Sequence, residues 1–157
     1  MTDLVRYSML IDGDWCQASD NGSFESINPA TGKAWATVPE ATADDIDRAV
    51  RAAHVAGTTG PWAGMLPTER GKCLMRLADL LAEASENLGR IETIDTGKMF
   101  KETRWQAKYI AEYFHFYAGA ADKIEGRTLP IDKPDMFVFT NREPLGVVAV
   151  SYTHLTL

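Results

Sequence analysis

Few residues in this sequence combine a reactive type with a useful spacing. There are two cysteines and three histidines in 157 residues. Cys16 and Cys73 lie far apart and in no Cys-x-x-Cys spacing, so they predict neither a zinc site nor a disulfide framework. Cys73 stands near the start of a predicted helix, where the dipole can activate a thiol, but a small core residue is the commoner role. We therefore expect both cysteines to pack rather than to react.

The histidines and the standard catalytic motifs give no further site. His54 stands among alanines on a predicted helix and His115 between aromatic residues, each without a nearby sequence partner to tune it. Glycine-rich phosphate loops, the zinc motif HExxH and the nucleophile motif GxSxG do not occur. No complete active site is visible.

Two further features have competing interpretations. Asp95 stands at a predicted helix end, where a carboxylate is disfavoured unless a cation or a donor offsets the dipole, so it is either a turn or cap residue or a ligand. An aromatic run covers more than one face of a later helix, so some rings face a partner domain or, in the sharper interpretation, a cofactor; the run consists of Tyr109, Tyr113, Phe114, Phe116 and Tyr117.

Composition limits the class of protein. The chain is 45% apolar and 24% charged with a net charge of −6, values typical of one soluble globular domain. With 16 basic and 22 acidic residues, the chain lacks the basic surface of a nucleic-acid binder, so we expect no nucleic-acid partner. No apolar run approaches a membrane span and an acidic residue, Asp3, stands where a secretory signal would be basic. We expect a cytoplasmic protein with no membrane contact.

The elements that must position these residues begin with strands. Residues 7–11 and 15–17 flank an Asp-Gly pair suited to a tight hairpin, and residues 24–27 and 34–38 flank an Asn-Pro turn. Helical spacing follows. Thr42 and Asp45 predict a capped helix that ends at Gly57.

Three further helices are predicted between residues 68 and 126. Thr68 is expected to cap a helix, Ser85 to start another that ends at Gly97, and a long stripe to run from Thr103 to Ile124. The first of these helices is expected to bury a stripe that consists of Leu74, Leu77, Leu80, Leu81 and Ala84.

The last part of the chain returns to strands. Residues 127–131 and 136–140 predict a strand pair, and the run 147–150 is typical of a central parallel strand buried on both faces. Such a strand needs neighbours from further sequence, so the chain is expected to be cut short.

Four segments in order resemble the N-terminal part of the NAD(P)-dependent aldehyde dehydrogenases over residues 7–150. They are Ile-Asn-Pro-Ala-Thr-Gly at 27–32, Glu-Thr-Ile-Asp-Thr-Gly-Lys at 92–98, Tyr-Ala-Gly-Ala-Ala-Asp-Lys-Ile-Glu-Gly at 117–126 and Arg-Glu-Pro-Leu-Gly-Val-Val at 142–148. The resemblance implies an α/β fold of β-hairpins and amphipathic helices within a segment 1–150. In it, residues 127–143 form oligomerisation strands and 144–150 the first strand of a Rossmann-like cofactor domain.

The resemblance also implies a chemistry. In that family a cysteine thiolate attacks an aldehyde, hydride passes to NAD or NADP, and a glutamate activates water to hydrolyse the thioester. Neither Cys16 nor Cys73 matches the family's nucleophile motif. We therefore predict no catalytic and no cofactor-binding residue in this chain, no cofactor bound by it, and no activity of it alone. A non-catalytic oligomerisation module is the alternative, and a free-standing helical scaffold is a third.

Partners and a cation site follow from the same resemblance. It implies an aldehyde substrate, whose tunnel draws residues from the region 105–116, and a homo-oligomer, dimer or tetramer, formed through 127–143. Some family members hold a monovalent cation, and Ile27 and Asp95 match two of its ligands. Residues 151–157 depart from the family pattern because they lack its Thr-Pro-Trp-Asn segment. This tail is expected to be a truncation or an artefact, and natural divergence is the alternative.

Overall fold

Short strands lie at both ends of the chain and helices in its middle, in a computed structural model that describes residues 4–150. The order is β1 (Val5–Arg6), β2 (Met9–Ile11), β3 (Asp14–Cys16), β4 (Ser23–Asn28), β5 (Lys33–Pro39), α1 (Ala43–Thr58), α2 (Pro61–Gly64), α3 (Pro67–Thr96), α4 (Phe100–Ala120), β6 (Thr128–Leu129) and β7 (Val138–Phe139). The predicted α/β class is confirmed.

The strands of the first forty residues form a hairpin and a small sheet. β2 and β3 pair antiparallel around Asp12 and Gly13, which both have positive φ, at 54° and 87°. The sheet has the order β1-β5-β4, in which β1 runs parallel to β5 and β4 antiparallel to it. The register shifts between Ser26 and Ile27, so Trp35 is an extra residue on β5. Such a bulge bends the strand locally and redirects its side chains.

Helix α1 begins as the sequence predicts. The Thr42 hydroxyl accepts a hydrogen bond from the Asp45 N–H at 3.3 Å, and the Asp45 carboxylate accepts the Thr42 N–H at 3.0 Å. Asp45 is fully buried and also accepts the Ser19 N–H at 3.0 Å. These two backbone donors, Ser19 first, lower the pKa of Asp45 to about 2. The box therefore joins the loop after β3 to the start of α1.

Residues 67–96 form one helix, so the predicted break at Ser85 is wrong. α3 begins after Leu66, whose N–H is accepted by the Glu69 carboxylate at 2.9 Å, and Thr68 lies inside the first turn rather than at the cap. Pro67 is favourable there because its φ suits a first helical position. Ser85 is half-buried within the helix, which continues without a break to Thr96. Gly97 ends α3 with φ of 76°, as predicted.

Helices α3 and α4 lie antiparallel and approach closely at small residues. A Cβ on Gly89 would lie 2.7 Å from the Arg104 backbone, and one on Gly71 2.7 Å from the Ala118 carbonyl oxygen. Buried Thr103 donates to the Gly89 carbonyl at 2.8 Å. The predicted leucine stripe is wrong in part, because Leu77 and Leu80 are 40% and 44% exposed. The buried face consists instead of Gly71, Ala78 and Gly89, opposite Thr103, Ala107, Ala111 and Ala118.

The core is small for a chain of this size. Every buried hydrophobic residue among those described is an alanine: Ala18, Ala36, Ala78, Ala107, Ala111 and Ala118. The accessible surface is 12641 Å², whereas a compact monomer of this mass exposes about 7800 Å² by the usual scaling. Much apolar surface of the described residues is therefore exposed.

The last described part has little internal structure. β6 and β7 pair antiparallel with Thr128 opposite Phe139 and Leu129 opposite Val138, a shorter pair than predicted. Residues 144–150, predicted as a strand, form none here and are exposed, because a strand requires a hydrogen-bonding neighbour. The predicted anomaly at 151–157 lies outside the described residues. None of the described helices has both the length and the apolar character that a membrane span requires.

Candidate functional site

The turn after β4 lies against the end of α3. A Cβ on Gly97 would approach the Pro29 Cγ to 2.8 Å, and its positive φ also favours glycine at this position. The Asn28 carboxamide oxygen accepts the Ala30 N–H at 2.9 Å and shapes the turn. The segments 27–32 and 92–98, far apart in sequence, therefore meet in space.

At this junction a chain of two hydrogen bonds ends on Asp95. The Trp35 indole N–H donates to the Ser26 hydroxyl oxygen at 3.0 Å, and the Ser26 hydroxyl donates to the Asp95 Oδ1 at 2.5 Å. The Trp35 ring is half-buried and meets the Tyr7 ring edge-on at 5.9 Å. We call these three residues the Trp35–Ser26–Asp95 chain.

The charge of Asp95 is only partly compensated within the described residues. Asp95 is exposed in the last turn of α3, at the negative end of the helix dipole, and within residues 4–150 it forms no ion pair. The nearby Lys98 pairs with Glu92 instead, at 2.8 Å. Gly97 is the capping residue, so the cap interpretation of Asp95 is wrong. A cation beside Asp95 would offset both its charge and the dipole.

Ile27, the second predicted ligand, follows Ser26 on β4. β4 is an edge strand of its sheet, and an edge strand leaves part of its carbonyl oxygens without a partner strand. Carbonyl and carboxylate oxygens are the donors that hard cations accept. Ile27 is thus the neighbour in sequence of Ser26, whose side chain contacts Asp95. Among residues 4–150 no group of three or more His, Cys, Asp or Glu side chains could hold a metal ion.

A row of aromatic side chains covers the face of α4 that is turned away from α3. The rings of Trp105 and Tyr109 stack with centroids 4.8 Å apart, and Tyr113 meets Tyr109 edge-on at 5.3 Å. Phe114 is half-buried instead and lies on the side towards α3. We name the exposed row, which consists of Trp105, Tyr109, Tyr113 and Phe116, the aromatic stripe.

A sequence model of the aldehyde dehydrogenase family matches residues 15–152 of the chain. The chain belongs to the aldehyde dehydrogenase family. It is 52% identical over 146 residues to a (Z)-2-((N-methylformamido)methylene)-5-hydroxybutyrolactone dehydrogenase of Acinetobacter baylyi. This match covers 93% of this chain and 30% of that protein. It is also 40% identical over 147 residues to aldehyde dehydrogenase 1 of Tanacetum cinerariifolium, covering 93% of this chain and 29% of that protein.

Solved aldehyde dehydrogenases have the same fold. An NAD⁺ complex of aldehyde dehydrogenase from Bacillus cereus superposes with a TM-score of 0.83 at 38% identity, over 88% of this chain and 28% of that one. A betaine aldehyde dehydrogenase of Staphylococcus aureus, in complex with NAD⁺, superposes with a TM-score of 0.77 at 34% identity. This match covers 85% of this chain and 27% of that one. The chain spans about 30% of the length of the curated relatives that it matches. It corresponds to the N-terminal part of the aldehyde dehydrogenase fold.

The cysteines of this aldehyde dehydrogenase segment differ from the expectation of two packed residues. Cys73 is exposed on α3, so its predicted place in the core is wrong. The helix buries a face of glycine and alanine against α4, and Cys73 does not lie on that face. Cys16 is half-buried, and an Arg48 guanidinium nitrogen lies 3.7 Å from its Sγ.

The two described histidines have different surroundings. His54 is exposed on α1. His115 has a partner that the sequence analysis missed, because its Nε2 lies 3.2 Å from the Asp79 Oδ1 across the α3–α4 contact. The antiparallel pairing of the helices creates this contact, and no local pattern indicates it.

Proposed function

We propose that this chain is the N-terminal part of an enzyme that oxidises an aldehyde to a carboxylic acid with NAD or NADP, through a cysteine thiohemiacetal and thioester. The observation that carries the proposal is the family match over residues 15–152, together with the TM-score of 0.83 against an aldehyde dehydrogenase from Bacillus cereus. Since the chain spans about 30% of its relatives, its contribution is to support and line the site rather than to perform the chemistry.

We assign no catalytic or cofactor-binding residue to the chain. A dinucleotide site needs a glycine-rich turn between a strand and a helix N-terminus, and no such unit occurs in residues 4–150. When NAD(P) is bound in the complete fold, it accepts the hydride that leaves the substrate carbon. Residues 4–150 offer no such unit, and so we route no step through them.

The aromatic stripe supplies part of the wall of the aldehyde site in this proposal. The resemblance to the family assigns the region 105–116 to the substrate tunnel, and the stripe is the part of α4 that α3 leaves uncovered. Such rings offer a large apolar contact area, and the tyrosine hydroxyl groups add a polar handle. Trp105, Tyr109 and Tyr113 are therefore the residues of this chain that we expect to influence substrate choice.

Asp95 and the Ile27 carbonyl serve as two oxygen ligands of a monovalent cation in this proposal. Three features support it: the carboxylate lacks a cationic partner within residues 4–150, it lies at the negative end of α3, and it adjoins an edge strand. Further ligands come from parts of the family fold beyond this chain. The cation has a structural role, since it joins the sheet to the helix end.

Residues 127–143 mediate subunit contact in the same proposal. The second candidate function, a non-catalytic interaction module, uses the same residues. Phe137 and Phe139 are 75% and 62% exposed, and their rings lie 5.7 Å apart. An exposed apolar strand pair of this kind is more stable when it pairs with another strand edge than when it is exposed to water.

The experiment is an assay of the purified chain with acetaldehyde or betaine aldehyde and either NAD or NADP. We expect no reduced nicotinamide above the blank from this chain, and aldehyde-dependent reduction from the longest product translated from its gene. Turnover by the chain alone, after host enzyme is excluded, would contradict the assignment of roles. Formation of mixed oligomers with complete subunits, without turnover of any gene product, would favour the interaction module.

A further inference from the structure

We propose that Asn21 is a site of spontaneous deamidation, and that the Asp20 carboxylate sets the rate of this reaction. The backbone nitrogen of Gly22 is the nucleophile, and no enzyme is needed. The site lies in the loop between β3 and β4, away from the candidate functional site described above. The inference does not rest on the proposed function.

The residue types define the reaction. The Gly22 N–H loses its proton to a base in the solvent, and the nitrogen forms a bond to the Asn21 Cγ. The bond between Cγ and the side-chain nitrogen breaks, ammonia leaves, and a succinimide ring remains. Water then adds to either carbonyl of the ring and breaks one C–N bond, which yields aspartate or isoaspartate. The net change converts an amide and water into a carboxylate and ammonium, without oxidation or reduction.

The structure leaves the reacting groups accessible. Asn21 is exposed, and among residues 4–150 its carboxamide has no hydrogen-bond partner that would hold it in place. Its φ of 61° lies in the left-handed region, which asparagine tolerates better than most residues. Gly22 has no side chain that could shield its own nitrogen from the Asn21 Cγ. The chain therefore presents both the leaving group and the nucleophile at one exposed turn.

The Asp20 carboxylate restrains the nucleophile. Its Oδ1 accepts the Gly22 N–H at 2.8 Å, so this hydrogen bond must break before the nitrogen can attack. The negative charge of Asp20 also disfavours a deprotonated nitrogen beside it, because like charges repel. A Cβ on Gly22 would lie 2.9 Å from the same Oδ1, so glycine is the residue that permits this contact. Both effects of Asp20 slow the closure of the ring.

Deamidation changes a loop that joins several parts of the fold. The Gly22 carbonyl accepts the Glu40 N–H at 3.0 Å, and the Asn21 N–H donates to the Ala18 carbonyl at 2.8 Å. Isoaspartate adds a methylene to the backbone between these two bonds, so the loop can no longer form both with the same geometry. The same loop also carries the contact with the capping box of α1. The modification therefore weakens the joint between the strands and α1.

The test follows Asn21 by mass spectrometry in the longest product translated from the gene, incubated folded at low micromolar concentration and mildly alkaline pH. Digests taken over several weeks reveal the mass increase caused by replacement of NH2 by OH, and fragmentation locates it in the sequence. The variants are Asp20→Ala, which removes the acceptor, and Asp20→Asn, which retains an acceptor without the charge. Circular dichroism verifies that each variant is folded.

Two controls separate the role of the turn from that of the sequence. Asn87 is exposed like Asn21 but lies within α3, where helical hydrogen bonds hold the next backbone nitrogen, so it serves as an internal control. Each protein is also incubated in urea, which unfolds the turn and removes the contact between Asp20 and Gly22.

We expect conversion at Asn21, and none at Asn87, in the folded wild type. Asp20→Ala should convert about tenfold faster, the lower end of what a hydrogen bond to a charged group contributes, and Asp20→Asn should lie between the two. In urea the wild type and Asp20→Ala should lose most of this difference. If folded wild type and Asp20→Ala convert at the same rate, Asp20 does not set the rate and the inference is overturned. If Asn21 stays unconverted in every folded sample, it is not a modification site of the folded protein, and the inference is likewise overturned.

Discussion

The α3–α4 pair and residues 121–150 use apolar residues in opposite ways. In the helix pair small residues are buried, and two backbones approach so closely that a Cβ on Gly89 would lie 2.7 Å from Arg104. In residues 121–150 large apolar side chains face water, with Phe137 75% and Leu145 97% exposed. Among residues 4–150 the first region has a packing partner, whereas the large apolar side chains of the second do not.

This difference indicates how the segment is organised. Close approach of small residues yields dense packing without large side chains, so the two helices support each other. Residues 121–150 hold one short strand pair and a run, 147–150, without a strand neighbour. Such unpaired apolar edges favour pairing with other chains. In our proposal the first region is a scaffold, and the second is completed by other parts of an aldehyde dehydrogenase or by a second subunit.

The largest expected effect concerns association. We expect the isolated chain to associate at tens of micromolar, because screening at about 0.15 M salt limits its charge repulsion to about 8 Å. The double variant Phe137→Lys, Val148→Lys should be soluble with unchanged helix content, measured by light scattering and circular dichroism. A matched control replaces exposed Leu77 and Leu80 of α3 with lysine. A monodisperse, monomeric wild type would instead favour a self-contained helical domain.

The helix pair should be sensitive at its closest contact. Gly89→Ala should destabilise the chain by about 2 kcal/mol, because the added methyl overlaps the Arg104 backbone and forces the helices apart. Gly119→Ala on α4 is the control: its Cβ would meet nothing within 4 Å, so alanine should stabilise that helix by about 0.5 to 1 kcal/mol. Urea unfolding measures both effects. Equal effects of the two substitutions would disprove the close contact.

A smaller effect concerns acid. The pKa of Asp45 is lowered to about 2 by the N–H groups of Ser19 and Thr42. Because the pKa is lower in the folded state, the ionised carboxylate stabilises the fold at pH values above its unfolded-state pKa of about 3.8. This stabilisation is lost as the pH falls towards 2. Asp45→Asn should therefore lower the urea midpoint at pH 6, and the difference from wild type should shrink below pH 4. The exposed Asp47→Asn, which loses a pair with Arg51, is the control. A pH-independent difference for Asp45→Asn would contradict the linkage.

Features set by neighbouring residues could be predicted from the sequence. The capping box of Thr42 and Asp45, the tight hairpin at the Asp-Gly pair and the end of α3 at Gly97 depend on a few consecutive residues, and all three predictions are confirmed. The predicted break at Ser85 is wrong because a serine is tolerated inside a helix that packs well on either side.

Contacts between distant segments could not be predicted from periodicity. The periodicity of hydrophobic residues predicts that Leu77 and Leu80 are buried, whereas the residues buried at the closest helix contact are mainly glycine and alanine. The hydrogen bond between Ser26 and Asp95 spans 69 positions in sequence. The family resemblance matched Ile27 and Asp95, but it gave no indication of the hydrogen bonds that join Trp35 to Ser26 and Ser26 to Asp95.

Amide hydrogen exchange of the isolated chain tests most directly whether the two regions differ as we describe. We expect amides of α3 and α4, around Ala78 and Ala111, to exchange only through global unfolding, and amides of 141–150 to exchange nearly as fast as an unstructured peptide. The measurement is made on the unmodified chain at low micromolar concentration, below the range in which we expect association. Equal protection of 141–150 and of the α3–α4 pair would mean that the segment is complete in itself, and would contradict the account.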